Sequence, residues 1–373
     1  MNILISPDSF KGTLSASEVA DSIEKGVKQA LPRCKTEKLP IADGGEGTME
    51  ALVSATNGHF VQRFVHDPLH RPHEATYGVL GNNQTCVIEM AQASGITLLH
   101  NSEKKPHIAS SFGTGELIQH ALNDGYRNFI ICIGGSATND GGVGMLRALG
   151  LQLNDEAGNP VEASIFGLQR LASFDFSTWD SRIVDSRFIV ACDVDNPLIG
   201  ENGATAIFGP QKGVLQKDIP LFDGALQHWA DIVEQTTGIH LHTRKGAGAA
   251  GGMGGALIAF CQAQFQQGID LVLQQVALEQ KLTNVDLVIT GEGKSDAQTL
   301  HGKAPYGVAQ MAKAHQIPTL LVSAIIEDFE QLQGNFQYMT SIVNNKVTID
   351  EALSMPAKLL EQCVANFFTH TKL

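Results

Sequence analysis

Short apolar runs alternate with helical patterns along most of the chain. The runs are rich in branched side chains, which indicates buried β-strands; they cover residues 2–6, 85–91, 129–133, 187–191, 285–290 and 319–323. Between them apolar residues recur at helical spacing, as in the stretch after Ser15 that places Val19, Ile23 and Val27 on one face. Strands and helices in alternation predict an α/β protein with a parallel, doubly wound sheet.

Both ends of the chain have the pattern of β/α units, whereas the middle is richer in glycine and turns. We therefore expect two α/β domains. One is a Rossmann-like domain whose parallel sheet is formed by both chain ends, residues 1–84 and 282–373. The other is a glycine-rich α/β domain inserted between them, residues 85–281.

The predicted strand at 129–133 leads into a glycine-rich loop, residues 134–142, and then into a helix. A strand, a glycine loop and a helix in this order aim backbone N–H groups at a phosphate. Side-chain donors are added by Ser136, Thr138 and Asn139. Asp140 adds a carboxylate that can face a magnesium ion; the alternative is a tight turn in which Asp140 caps the helix.

Polar and charged residues also follow other predicted strands, where ligands bind in open α/β sheets. Asp8, Ser9 and Lys11 follow the first strand, and a lysine there can hold a phosphate or a carboxylate as a point charge. Asp43 stands beside glycines at a predicted helix start, which suits a metal ion or a substrate hydroxyl. The alternatives are a solvated turn for the first loop and a favourable helix dipole for the second.

The strand at 187–191 is followed by Asp193 and Asp195. Because Asp193 comes so soon after a buried strand, we expect its side chain to be partly desolvated, which suits a general base or a metal ligand. Lys212 lies in a turn between glycines and is expected to be exposed. Residues 291–299 follow another strand but form no Walker A loop, since Val288 occupies the position of its first glycine.

Residues 246–251 match the pattern Gly-x-Gly-x-x-Gly literally. The dinucleotide fingerprint also needs an apolar strand directly before it, and residues 241–245 are mostly polar. A second phosphate-facing loop, or tight helix packing through glycine, fits better. Nearby, His240 and His242 alternate on a short candidate strand and are interpreted as structural.

Charge and cysteine spacing exclude several classes of protein. The net charge is −13 and no run of basic residues offsets it, which argues against nucleic-acid binding. The six cysteines form no Cys-x-x-Cys zinc or redox motif. The N-terminus does not resemble a signal peptide, and no stretch of about 18 apolar residues marks a membrane span. We expect a cytoplasmic protein with reduced cysteines and no membrane partner.

Six stretches resemble, in order, the type I glycerate kinase family: residues 6–12, 41–48, 133–144, 191–198, 246–255 and 291–305. The resemblance implies ATP-dependent phosphorylation of D-glycerate with Mg²⁺, and two α/β domains with the active site in the cleft between them. Most members are similar to enzymes that yield 2-phosphoglycerate, and a few to enzymes that yield the 3-phosphate. The family usually has a glycine in the loop at 324–328, and this chain has none there. A monomer and a homodimer both remain open.

Loop chemistry and resemblance together give the expected site. The catalytic residues are Asp193 as first choice of base, Lys11, and Asp296 as second choice of base. Substrate is expected to bind Asp8, Ser9, Lys11, Asp43, Gly44, Gly45 and Lys294. Nucleotide and its phosphates are expected to bind Gly134, Gly135, Ser136, Asn139, Gly251, Gly252, Glu292 and Thr299. The expected magnesium ligands are Asp140 and Asp195.

Two functions of other classes remain as alternatives. The first is an NAD-dependent hydroxy-acid dehydrogenase, which depends on residues 246–251 as a dinucleotide loop. The second is a two-lobed sensor that binds glycerate without turning it over. The many carboxylates beside glycine loops argue against the sensor, because a phosphoryl transferase uses such groups and a sensor does not need them.

Overall fold

The computed structural model describes residues 1–371 as an α/β protein. The strands, numbered in chain order, are β1 (Asn2–Ile5), β2 (Lys35–Lys38), β3 (His59–His66), β4 (Pro72–Val79), β5 (Thr85–Glu89), β6 (Asn128–Cys132), β7 (Gln152–Asn154), β8 (Ser173–Asp175), β9 (Arg187–Ala191), β10 (Gln264–Gln266), β11 (Leu287–Thr290), β12 (Lys294–Ser295), β13 (Thr319–Ser323), β14 (Ile325–Ile326) and β15 (Tyr338–Ser341).

The α-helices, numbered in the same way, are α1 (Ala16–Ala30), α2 (Thr48–Thr56), α3 (Ala91–Ser94), α4 (Phe112–Asn123), α5 (Val143–Ala148), α6 (Ile165–Leu168), α7 (Ala204–Phe208), α8 (Ile219–Thr237), α9 (Met253–Cys261), α10 (Gly268–Gln275), α11 (Leu278–Lys281), α12 (Ala304–Ala314), α13 (Phe329–Leu332), α14 (Ile349–Ser354) and α15 (Pro356–His370). Short 3₁₀ turns lie between several of them. Within the described residues, none of these helices has the length and apolar character needed to cross a bilayer.

The chain forms two compact units. The first joins Met1–Gly58 to the chain from Gly268 onward, and the second is His59–Gln267. The predicted boundaries lay at 84/85 and 281/282. The first boundary is earlier because β3 and β4 form a hairpin that joins β5 in the sheet of the second unit. The second is earlier because α10 packs in the first unit, where Ile269 contacts Gly307 of α12.

The first unit contains a five-stranded parallel sheet in the order β15-β13-β11-β1-β2. Both ends of the chain build it, because β1 pairs with β11 in a register that sets Ile3 opposite Leu287 and Ile5 opposite Ile289. The side chains of β11 and β13 are buried throughout, as their apolar runs predict for a strand covered on both faces. The predicted Rossmann-like parallel sheet is thus observed.

The helices that cover this sheet begin where their sequences indicate. Ser15 caps α1 and forms a capping box with Glu18. The last helical stretch of the chain consists of two helices, α14 and α15, separated at Met355. The break falls before Pro356 because the residue before a proline is disfavoured in helical conformation.

The second unit contains a six-stranded sheet in the order β10-β9-β6-β5-β4-β3. Its four strands β5, β6, β9 and β10 are parallel, and the β3–β4 hairpin adds an antiparallel edge. Phe129 of β6 and Phe188 of β9 stand opposite each other, and their rings stack with centroids 4.8 Å apart. Trp229 of α8 is completely buried in the same core. The packed parallel strands therefore fix the positions at which the loops after them begin.

Candidate active site

The sheet of the first unit has a topological switch point between β1 and β11. From β1 the chain continues through α1 to β2 on one side, and from β11 through α12 to β13 on the other. Loops at the carboxyl ends of two such strands diverge, and ligands of open α/β sheets bind in the crevice between them. The loops that meet here carry Asp8 and Glu292. The predicted substrate loop thus stands at the position that this topology favours for a ligand.

Asp8 is a buried carboxylic acid at that switch point, with 4% of the residue exposed. Its backbone N–H donates to Gly291 O at 2.8 Å, and one carboxylate oxygen accepts from Ser9 N at 2.6 Å. Burial, and then the charge of Asp43, raise the pKa of Asp8 to about 7. Asp8 is therefore poised to take up or release a proton near neutral pH.

Lys11 and Asp43 lie next to Asp8 in the same unit. Lys11 Nζ is 4.0 Å from Asp43 Oδ2, and the lysine side chain is 68% exposed. Asp43 Oδ1 accepts from Gly45 N at 3.1 Å, while Gly44 has a φ of +92°, a conformation that favours glycine. The loop thus presents an accessible cation beside a fixed carboxylate, as an anionic hydroxy acid requires.

Glu292 is held in a buried network rather than facing solvent. It accepts hydrogen bonds from Thr299 Oγ1 at 2.6 Å, Ser295 Oγ at 3.2 Å and Lys303 Nζ at 3.2 Å. Burial raises the pKa of Glu292, and these donors oppose the rise. Glu292 and Thr299 are both predicted to contact nucleotide. In this structure they hydrogen-bond to each other and so hold the loop in its conformation.

Asp296, the second choice of base, is the N-cap of a 3₁₀ turn. Its carboxylate accepts from Gln298 N at 2.9 Å and lies 3.8 Å from Lys294 Nζ. Lys294 in turn pairs with Glu327 at 2.9 Å. The segment after β13, which lacks glycine, forms the two-residue strand β14, and its Ile325 pairs with Lys294 of β12. Branched residues such as isoleucine are suited to a strand.

In the second unit, two glycine loops pack backbone against backbone. Gly141 N donates to Gly251 O at 2.9 Å, and a Cβ atom at Gly251 would lie 2.1 Å from Thr138 O. Both glycines have positive φ. The expectation of tight packing through glycine at 246–255 therefore holds at Gly251 and also at Gly252, whose Cβ would meet Gly141.

Asp140 anchors the loop at 134–142. It is completely buried, and its two oxygens accept from Ser111 N and Oγ at 2.8 Å, Gly142 N at 3.1 Å and Gly144 N at 3.3 Å. Burial raises the pKa of Asp140 while these donors lower it. Both oxygens accept from protein donors, as in a carboxylate that anchors a loop. Asp140 as a magnesium ligand stays a prediction.

Lys212 is buried inside this loop, which corrects the expectation that it is exposed. Only 2% of the residue is accessible, and its Nζ donates to Ser136 Oγ at 2.8 Å and to Thr138 O at 2.6 Å. Burial lowers the pKa of Lys212 to about 7, with the charge of Asp140 acting in the opposite direction. An anion at the loop would restore the ammonium form.

Two buried polar atoms of the loop, Thr138 Oγ1 and Asn139 Oδ1, have no hydrogen-bond partner among the residues that the structure describes. The amide of Asn139 donates to Thr205 Oγ1 at 2.9 Å, which leaves its oxygen free to accept. Buried polar atoms are nearly always paired, so unpaired ones beside a buried lysine point to a polar ligand. Residues at this loop fit a phosphate group through Lys212, Ser136 and the Thr138 hydroxyl.

Asp193 and Asp195 are exposed after β9, which corrects the expected desolvation of Asp193. Asp195 Oδ2 is 3.2 Å from Lys245 Nζ, with side chains 78% and 84% exposed. A surface pair of this kind contributes little to stability. Asp195 thus forms a solvated ion pair in this structure, and its role as a magnesium ligand stays a prediction.

Sequence comparison identifies the family. The profile of the glycerate kinase family matches residues 3–372. The chain belongs to the glycerate kinase family. It is 45% identical to "Glycerate kinase" of Bacillus subtilis (strain 168) over 375 residues, which covers 100% of this chain and 98% of that protein. It is 44% identical to "Glycerate 2-kinase" of Escherichia coli (strain K12) over 354 residues, covering 94% and 93%.

A solved structure shares the fold of this member of the glycerate kinase family. The crystal structure of a candidate glycerate kinase 2 from Salmonella typhimurium LT2 matches with a TM-score of 0.90 and 44% identity, over 99% of this chain and 97% of that one. The predicted α/β class and the family resemblance are confirmed, and as a member of the family the chain is an enzyme. A sensor without catalytic activity is thereby excluded.

The dehydrogenase alternative finds no support in this glycerate kinase family member. Residues 249–252 form a 3₁₀ turn, and the described residues 239–245 before it form no strand. The dinucleotide fingerprint requires a strand at that place. The glycines serve instead to let the loop approach Gly141 closely.

Three residues of the site escape sequence reasoning: Lys212, a candidate ligand of phosphate, and Lys303 and Ser111, which donate to Glu292 and Asp140. Lys212 occupies a short turn whose local pattern gives no sign of burial. Lys303 lies in a stretch of the family resemblance, and its pairing with Glu292 became visible only in the fold. Ser111 donates to Asp140 from α4's N-terminal side, and nothing in its own segment indicates that partner.

Proposed function

We propose that this glycerate kinase transfers the γ-phosphoryl group of ATP to the 2-hydroxyl of D-glycerate and yields 2-phosphoglycerate and ADP. The observation that carries the proposal is Asp8, a buried acid with a pKa near 7 at the switch point of the parallel sheet. The name of the E. coli relative, "Glycerate 2-kinase", favours the 2-position. The new bond joins the 2-oxygen to Pγ, and the bond from Pγ to the bridging oxygen of ADP breaks.

Asp8 is the proposed acceptor of the hydroxyl proton. A general base works best when its pKa lies near the working pH, and burial with Asp43 nearby brings Asp8 to that range. Asp193 was the first choice from sequence, but it is exposed, and Asp296 is engaged as a helix cap. The assignments of Asp193 and Asp296 stay predictions, to be compared directly with Asp8.

Lys11 is proposed to bind the carboxylate of glycerate. Its ammonium is accessible and lies 4.0 Å from Asp43, a separation that leaves it free to contact an anion. Ser9, Gly44 and Gly45 would line the same loops. Binding energy at the carboxylate would orient the 2-hydroxyl toward Asp8.

Lys212 and Ser136 are proposed to hold the phosphates of ATP. The lysine acts as a point charge inside a glycine-rich loop, and the unpaired Thr138 hydroxyl supplies a further donor. Magnesium would enter with ATP as part of the substrate. Asp43 fits a magnesium contact better than Asp140, because Asp43 Oδ2 lies 4.0 Å from Lys11 Nζ, beyond hydrogen-bond distance, whereas both oxygens of Asp140 accept from protein donors.

The expectations of a shared active site in the cleft between the domains, of cytoplasmic location, and of a monomer or homodimer stay predictions. The activity itself is tested by ADP release in the presence of ATP, Mg²⁺ and D-glycerate. ADP formation that depends on D-glycerate is expected. Folded protein that releases no more ADP with D-glycerate than without it would refute the proposed function.

A further inference from the structure

Two histidines and two carboxylates converge at the C-terminal end of α8, in the second unit. Asp231 and Glu234 lie on the last turns of this helix, and His240 and His242 follow its end at Gly238. His240 Nδ1 is 3.0 Å from Glu234 Oε2, and His242 Nδ1 is 3.8 Å from the same oxygen. The two imidazole rings stack with centroids 4.5 Å apart. None of these side chains has a part in the proposed phosphoryl transfer.

The hydrogen bonding of His242 fixes which of its nitrogens is free. Its Nε2 lies 2.8 Å from Asp231 Oδ1, and a carboxylate oxygen can only accept, so Nε2 carries the hydrogen. His242 Nδ1 is buried and has no hydrogen-bond partner within residues 1–371. In the neutral ring this nitrogen presents a lone pair toward the Glu234 oxygen. Two facing lone pairs repel each other unless a cation or a proton lies between them.

We propose that Glu234, His240 and His242 form a binding site for a divalent transition-metal ion of the Zn²⁺ class. The ligands are Glu234 Oε2 and the Nδ1 atoms of the two histidines, and water completes the coordination. Without metal His240 Nδ1 donates to Glu234 Oε2, so its ring must carry the hydrogen on Nε2 instead when the ion binds. Imidazole nitrogen favours zinc and its neighbours over magnesium or calcium, which prefer oxygen. Asp231 orients His242 from behind, the usual carboxylate–histidine–metal arrangement of the outer shell.

The distances fit such an ion. Tetrahedral zinc binds nitrogen and carboxylate oxygen at about 2.0–2.2 Å, so two of its ligands stand about 3.4 Å apart. The observed separations of 3.0 and 3.8 Å lie on either side of that value. Glu234, His240 and His242 each offer one ligand atom, and these atoms lie within 4.8 Å of one another. Small side-chain rotations of exposed Glu234 and His240 would therefore complete the site.

A metal ion here would join α8 to the segment that leads into the glycine loop at 246–255. His242 O accepts a hydrogen bond from Ile199 N at 3.5 Å, and further along Gly251 O accepts from Gly141 N. The ion would thus stabilise the second unit near the proposed phosphate loop without contacting substrate. Its expected effect is a higher melting temperature, because a ligand that binds only the folded state stabilises it.

The experiment uses the full chain after removal of metal by a chelator, titrated with ZnCl₂ against a chromophoric competitor. One zinc per chain should bind with Kd about 10 µM or tighter, and zinc should raise the melting temperature. His240→Gln and His242→Gln should each weaken zinc binding at least about tenfold, and Asp231→Asn by about 10–100-fold. The matched control is His59→Gln, an exposed histidine of the same unit, which should bind zinc as the wild type does.

Two results would overturn the proposal. One is wild-type protein that binds no zinc more tightly than about 100 µM and shows no zinc-dependent melting shift. The other is zinc binding that persists in His240→Gln and His242→Gln, which would place the ion on cysteines or elsewhere. If a histidine variant is less stable than the wild type even without metal, its zinc affinity is not used. The zinc-dependent change in the wild-type melting temperature then decides whether the site binds zinc. The absorption spectrum of the protein with Co²⁺ in place of Zn²⁺ gives a second readout. A site of nitrogen and oxygen ligands should show no charge-transfer band from thiolate to cobalt, whereas cysteine ligands would show one.

Discussion

The backbone N–H of Asp8 donates to the carbonyl oxygen of Gly291 at 2.8 Å, across the carboxyl ends of β1 and β11. This bond fixes an acidic side chain at the switch point of the parallel sheet, directly beside the loop that carries Glu292. Burial is the largest cause of the raised pKa of the Asp8 carboxyl, and the charge of Asp43 and, less strongly, that of Glu292 raise this pKa further. The pairing of strands from the two ends of the chain thus places Asp8 where its pKa suits a catalytic acid or base.

Asp8→Asn should lower kcat by about 10²–10⁴, because the amide keeps the shape of the side chain and removes its basicity. The matched variant is Asp193→Asn, at an exposed carboxylate, which should keep most of the wild-type kcat. Steady-state kinetics with D-glycerate and ATP measure both. A large loss in Asp193→Asn with nearly full activity in Asp8→Asn would restore Asp193 as the base.

Asp8 should also make stability depend on pH. Its folded pKa of about 7 lies above the ordinary value of 3.8, so its contribution is fully present below pH 3.8 and is lost as pH rises through 7. Asp8→Asn removes that loss and should gain up to about 4 kcal/mol in free energy of unfolding, relative to wild type, between pH 4 and pH 8. Urea unfolding of both proteins at the two pH values measures the difference. Parallel pH profiles would show that Asp8 is not desolvated.

Lys212 should take up a proton when ATP binds. With a pKa of about 7 the amine is largely neutral at pH 8, and a phosphate beside it favours the ammonium. Calorimetric titration with ATP at pH 8, in buffers of different ionisation enthalpy, should show uptake of up to about one proton. Lys212→Met should abolish the uptake and weaken ATP binding about 10–100-fold.

The control for Lys212 is Lys245→Met, which removes an exposed lysine of the same unit and its ion pair with Asp195. This variant should bind ATP with wild-type affinity. An unchanged proton uptake in Lys212→Met would show that the buried lysine does not face the nucleotide.

Asp140→Asn should destabilise the protein without changing its use of magnesium. The amide cannot accept from all the donors that Asp140 engages, so unfolding should become easier by about 1–3 kcal/mol. Thermal or urea unfolding measures this loss. Magnesium titrations of activity should superimpose on the wild type; a clear rise in the magnesium requirement would make Asp140 a metal ligand after all.

The strands of the sheets could be predicted because each is marked by a short apolar run in its own segment of the sequence. The run at 129–133 became β6, Asn128–Cys132, since five apolar residues in a row, four of them branched or aromatic, fit a strand covered on both faces. The β3–β4 hairpin was missed because its histidines and Pro72 interrupt the apolar pattern. Pro72 is tolerated there as the first residue of β4.

The site was less predictable because it depends on contacts between distant segments. Lys212 reaches Ser136 across 76 residues of sequence, and no local pattern encodes that approach. Asp193 follows a buried strand, yet the turn after β9 directs it to solvent. Asp8 was expected to contact substrate from its place after β1. Its raised pKa comes from burial and from Asp43, which only the fold brings near.

The most direct test of the proposed function is phosphorus NMR of the product formed from ATP and D-glycerate. A phosphate on the 2-oxygen couples to the single proton on C2 and gives a doublet, whereas a phosphate on the 3-oxygen couples to two protons and gives a triplet. We predict a doublet that grows as ADP appears, and that grows about 10²–10⁴ times more slowly with Asp8→Asn. A triplet, or no new phosphate ester at all, would contradict phosphorylation of the 2-hydroxyl.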